Sequence, residues 1–92
     1  MTIEKPKDRI SPTDVDKEHI CTLELQNDDY HTFDYVIDSL IEICELDIIQ
    51  ATQCTYLIHY KGKCDVKKGS KSYLLPMRRA LAGRDLKAVI HC

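Results

Sequence analysis

Two short segments of this sequence carry groups able to work together chemically. Asn27-Asp28-Asp29-Tyr30 places an amide and two carboxylates in a row. Acceptors outnumber donors there, which suits a cation. Further along, His59-Tyr60-Lys61-Gly62 adds an imidazole, another acceptor when it is neutral. Each segment alone has a plain structural explanation. Asn and Asp before a helix bond their own backbone, and a histidine at a helix end is stabilised by the helix dipole. Their pairing is the more informative possibility, and it depends on what lies between them.

Cys21, Leu23 and Leu25 alternate with Thr22, Glu24 and Gln26, the period-2 pattern of a half-buried strand. Thr32 is placed to cap a helix. Phe33, Val36, Ile37, Leu40, Ile41 and Cys44 then recur at helical spacing, with Asp34, Asp38 and Glu42 on the other side. Asp47-Ile48-Ile49-Gln50 reads as a capping box for a second helix. That helix runs to about Tyr60, with Gly62 set to end it in a left-handed turn. Ala51, Cys54, Thr55 and Ile58 share one of its faces. Cys64 to Lys67 reads as a short strand, and Lys68-Gly69-Ser70 as a turn. Leu74, Met77 and Leu81 predict a third helix, kept short because Pro76 fits only a first turn. Leu86 to Cys92 reads as a last strand. The expected fold is α+β, a small β-α-α-β-α-β sandwich with a three-stranded antiparallel sheet covered by helices. In a β-α-α unit the second helix packs back across the start of the first. That brings His59 toward Asn27.

Ninety-two residues make one domain. The charged, proline-broken stretch 1–18 reads as a disordered arm, and 19–92 as the folded domain. The net charge of -2 argues against a nucleic-acid partner. No run reaches the roughly 20 apolar residues a membrane span needs. The stretch 1–18 lacks the apolar segment of a secretory signal. The sequence therefore predicts a cytoplasmic monomer. On that reading Cys21, Cys44, Cys54, Cys64 and Cys92 are reduced thiols packed as small hydrophobes.

The sequence shows no Gly-rich phosphate loop, nucleophile elbow or HExxH pattern. No Cys-His pair stands out by spacing. A zinc set drawn from Cys64, His59, His91 and Cys92 lacks the paired knuckles that mark such sites. No catalytic residue, metal or cofactor is expected.

The segment Leu25-Gln26-Asn27-Asp28-Asp29-Tyr30 through Phe33-Asp34-Tyr35-Val36-Ile37-Asp38 resembles the core of the ClpS family. So do Ala51-Thr52-Gln53 and His59-Tyr60-Lys61-Gly62-Lys63. The resemblance is strong over about residues 20 to 64 and weak beyond. It implies a non-enzymatic adaptor that binds the free N-terminus of proteins with a bulky hydrophobic first residue, an N-degron. The adaptor then delivers them to a ClpA-type or ClpC-type unfoldase with its protease. The arm would engage the unfoldase during delivery.

The resemblance also implies the site. Asn27, Asp28, Asp29 and neutral His59 would hold the α-amino group. Leu25, Gln26, Phe33, Val36, Thr55, Ile58 and Leu86 would form the hydrophobic pocket, with Phe33 as its gate. Charge-assisted hydrogen bonds contribute about 1.5–3 kcal/mol each, and a buried apolar side chain adds about 1.5–3 kcal/mol. Association offsets several kcal/mol, leaving an affinity on the order of micromolar. Phe33 and Thr55 stand where the family usually has methionine, and Gln26 where it has an apolar residue. These departures imply a shifted set of preferred first residues. After Lys63 the family's docking stretch is replaced by residues 67–76. The competing reading is an interaction module of similar fold, like the C-terminal domain of the ribosomal stalk protein, without the N-terminus pocket.

Overall fold

The computed structural model describes residues 19–26 and 30–92. The expected arm, 1–18, lies outside the described residues, and so do Asn27, Asp28 and Asp29. Among the described residues, six elements follow in the expected order: β1 (Cys21–Gln26), α1 (Phe33–Cys44), α2 (Ile48–Lys61), β2 (Lys63–Gly69), α3 (Lys71–Gly83) and β3 (Ala88–His91). The sheet is antiparallel with strand order β2-β1-β3, so β1 is central.

Local chemistry sets the helix ends. Thr32 accepts from the Tyr35 amide and starts α1. Asp47 accepts from the Gln50 amide at 2.7 Å and starts α2. Each cap satisfies an otherwise orphaned donor and is worth about 1 kcal/mol. Gly62, at φ 91°, closes α2 in the left-handed conformation that glycine adopts without a Cβ penalty. Glu45 closes α1 in the same region at φ 59°, without glycine's freedom.

Three expectations change. The Lys68-Gly69 turn is instead the end of β2. The third helix is not short: Ser70 caps it through the Tyr73 amide, so Pro76 falls inside α3. Pro76 has no N–H for the carbonyl one turn back. Its exposed position leaves that carbonyl to water, and the buried Leu74 and Leu81 hold the helix down. The third change concerns the cysteines. Thr22 pairs with His91, which sets Cys21 opposite Cys92, with Cα atoms 4.1 Å apart. They form a disulfide spanning 71 residues. Cys44, Cys54 and Cys64 are free and buried, as expected.

The core lies between the sheet and the helices. Leu23 and Leu25 from β1 meet Val36, Leu40, Ile58, Leu74 and Leu81 in one buried cluster. A bulge interrupts β1–β2 pairing: Leu23 faces Lys67, while Glu24 faces Asp65. The extra residue is Val66. Its insertion turns Lys67 toward the helices, where Nζ donates to the Cys44 carbonyl at 2.9 Å. A cation thus meets the negative end of α1.

Candidate functional site

His59 sits in the last turn of α2, and Phe33 opens α1. Their rings are 4.3 Å apart, tilted at 35°. The end of the second helix therefore does lie against the start of the first. Both side chains are half-buried. Asn27, Asp28 and Asp29 fall outside the described residues. Tyr30, just after them, is exposed, with its ring edge against His31 at 4.9 Å.

The imidazole has a defined orientation. Its Nδ1 is 3.0 Å from the Thr55 carbonyl oxygen. A carbonyl only accepts, so the bond requires a proton on Nδ1. In the neutral ring, Nε2 is then the acceptor. Thr55 itself is fully buried, and its hydroxyl donates to the Ala51 carbonyl at 2.8 Å. With the hydroxyl bonded within the helix, the methyl is what Thr55 offers to apolar neighbours. A threonine in place of methionine thus costs volume more than it adds polarity.

Leu25, Val36, Thr55 and Ile58 are completely buried, and Leu86 is 4% exposed. Leu25, Val36, Ile58 and Leu86 belong to the buried core cluster, whereas Phe33 and His59 are only half-buried. Leu86 is held by its amide bond to the Leu81 carbonyl at 3.1 Å. The turn before it is tied to α1, where Tyr35 donates to the Arg84 carbonyl at 2.8 Å. Gln26 departs from the set. Its amide nitrogen is turned to Glu24 Oε2 at 3.4 Å, along the sheet face away from the helices. Its backbone amide bonds the Lys87 carbonyl at 2.8 Å and so fixes the strand end beside Leu86.

Among the described residues, no group of three or more His, Cys, Asp and Glu is placed to hold a metal. Cys92, one of the four residues considered for zinc, is in the disulfide. Burial pushes the Cys44 thiol up to about 11 and the Cys64 thiol up to about 12, and raises that of Cys54. Such thiols stay protonated and inert near neutrality. No helix among the described residues is long and apolar enough to cross a membrane.

Tyr56 is a neighbour of Phe33 that no motif in the sequence singles out. Its ring meets Phe33 edge-on at 5.0 Å. The signal was its place one turn before Tyr60 on the outer side of a helix whose buried face was already assigned.

Comparisons with known proteins agree with this architecture. Residues 16–83 match the family model of the ATP-dependent Clp protease adaptor protein ClpS. The adapter protein ClpS of Pectobacterium carotovorum is 35% identical over 63 residues, covering 68% of this chain and 55% of that protein. ClpS of Vibrio cholerae is 38% identical over 61 residues, covering 66% and 53%. The chain thus spans about half the length of the curated relatives it matches. Among solved structures, Agrobacterium tumefaciens ClpS2 bound to L-phenylalaninamide has the same fold. It superposes with a TM-score of 0.71 at 17% identity, over 78% of this chain and 94% of that one. The family match over most of the sequence, together with the shared β-α-α-β-α-β fold, places this chain in the ClpS family of Clp protease adaptor proteins.

Proposed function

We propose that this protein binds the free N-terminus of proteins whose first residue is bulky and hydrophobic, and delivers them to a ClpA-type or ClpC-type unfoldase and its protease. The observation that carries this is the His59 ring. Its Nδ1 is engaged by the Thr55 carbonyl, and the ring lies beside Phe33. That arrangement supports an Nε2 acceptor for an α-ammonium next to a place for a large side chain. Asn27, Asp28 and Asp29 would complete the acceptor set. An α-ammonium has three donors, and each charge-assisted bond is worth about 1.5–3 kcal/mol.

Leu25, Phe33, Val36, Thr55, Ile58 and Leu86 would line the pocket, with Gln26 contributing its backbone at the strand end. The phenylalaninamide bound by the Agrobacterium protein is a free amine joined to a large aromatic side chain, the same ligand chemistry. A cytoplasmic location and a monomeric state belong to this reading, as does engagement of the unfoldase by residues 1–18. In a reducing cytosol the Cys21–Cys92 pair would be open to reduction.

The test is a titration with fluorescent peptides beginning with Leu, Phe, Tyr or Trp, beside N-acetylated versions. The free peptides should bind in the micromolar range and the acetylated ones should not. Equal binding of both would favour the simple interaction module instead.

A further inference from the structure

The outer side of α2 carries aromatic surface that a first-residue pocket does not use. Tyr56 and Tyr60, one turn apart, stack with ring centroids 5.8 Å apart and planes at 9°. They are 48% and 76% exposed. With Gln53, Leu57 and Lys61 they line a shallow depression of about 480 Å³. A single exposed tyrosine is unremarkable. These two are distinguished by continuity with the site. Phe33 lies against both His59 and Tyr56, and Tyr56 stacks on Tyr60, so four rings link His59 to the outer side of the helix.

We propose that Tyr56 and Tyr60 form a second subsite that receives the side chain of the bound segment's second residue and favours an aromatic one. This rests on the first-residue reading above. An extended chain advances roughly 3.3–3.6 Å per residue. A side chain one residue along is therefore in reach of Tyr56, whose ring is 5.0 Å from that of Phe33. Ring faces and edges left half open accept a further aromatic ring in offset or edge-on contact. Phenol faces also attract cations. The Lys61 ammonium at the edge of the depression opposes a basic side chain by like-charge repulsion. The combination selects aromatic over aliphatic, and aliphatic over glycine or lysine.

The full chain is titrated with peptides beginning Phe-Gly, Phe-Leu, Phe-Tyr and Phe-Lys. Phe-Tyr should bind roughly three- to tenfold tighter than Phe-Gly, and Phe-Lys no tighter than Phe-Gly. In Tyr60→Ala, and in the Tyr56→Ala/Tyr60→Ala double variant, the ratio of Phe-Tyr to Phe-Gly affinity should fall toward one. The ratio is the readout, so a general loss of affinity does not imitate the effect. Thermal melts confirm that the variants fold. Equal affinity of the native chain for Phe-Gly and Phe-Tyr overturns the second subsite and leaves the first-residue reading standing. A preference that survives in the double variant also overturns it. Failure of every free peptide to bind the native chain removes both.

Discussion

The Nδ1 of His59 lies 3.0 Å from the carbonyl oxygen of Thr55, one helical turn back. Backbone geometry thereby decides which ring nitrogen carries the proton. His59→Ala removes the Nε2 acceptor and should weaken binding of peptides with a free N-terminus about tenfold or more. Fluorescence anisotropy checks this, and an unchanged affinity in the variant would remove His59 from the site.

The Cys21–Cys92 disulfide closes a segment of 71 residues' separation. Chain entropy alone gives such a loop roughly 4 kcal/mol, and measured disulfides typically give about 2–4 kcal/mol. Reduction, or Cys92→Ser, should lower the melting temperature by on the order of 10 °C or more. Melts with and without dithiothreitol read this directly. The reduced native chain and Cys92→Ser should melt alike.

The turn before Leu86 is fastened to α1 by Tyr35 and by Arg84. Arg84 donates to Ser39 Oγ at 3.2 Å and pairs with Glu42. Tyr35→Phe should cost about 0.5–1.5 kcal/mol in urea unfolding. Glu42→Gln should cost little, since that pair is largely solvent-exposed. If the fastening positions Leu86, Tyr35→Phe should also speed amide exchange at Leu86, whereas Glu42→Gln should not.

The buried thiols give the protein an alkaline limit. Desolvation raises Cys44 to about 11 in the folded chain, against about 9 when unfolded. The unfolded state then releases its proton first. This contribution is whole below about pH 9 and is lost as pH rises toward 11. Cys64 extends the loss to about 12. Urea midpoints measured between pH 8 and 10.5 (roughly the accessible window) should fall, and fall less steeply in Cys44→Ala.

Much of this was legible in the sequence because caps and periodicity are local. Thr32, Asp47 and Gly62 mark helix ends by side-chain or backbone chemistry visible within four residues. Pro76 misled because a proline's cost is local, while the packing of Leu74 and Leu81 that offsets it is tertiary. The disulfide was out of reach for the same reason. Cys21 and Cys92 become neighbours only through strand register, which no spacing in the chain reveals. For the candidate site, His59 was singled out by its pairing with the Asn27-Asp28-Asp29 acceptors and Phe33 by a resemblance, and the bond to Thr55 follows from helical geometry once α2 is in place. Gln26 alternates with Leu25 in the sequence, and its side chain accordingly turns to Glu24 on the other sheet face.

The covalent link also changes how the chain answers to pulling. Tension applied ahead of Cys21 passes through the sulfurs straight to Cys92. The central strand and its short edge neighbour then move as one piece, and peeling β3 from β1 at that end requires breaking a covalent bond. Any motor that drew this polypeptide in from its N-terminal side would meet two strands abreast at Cys21. While the bond is intact, the protein is a poor object for threading.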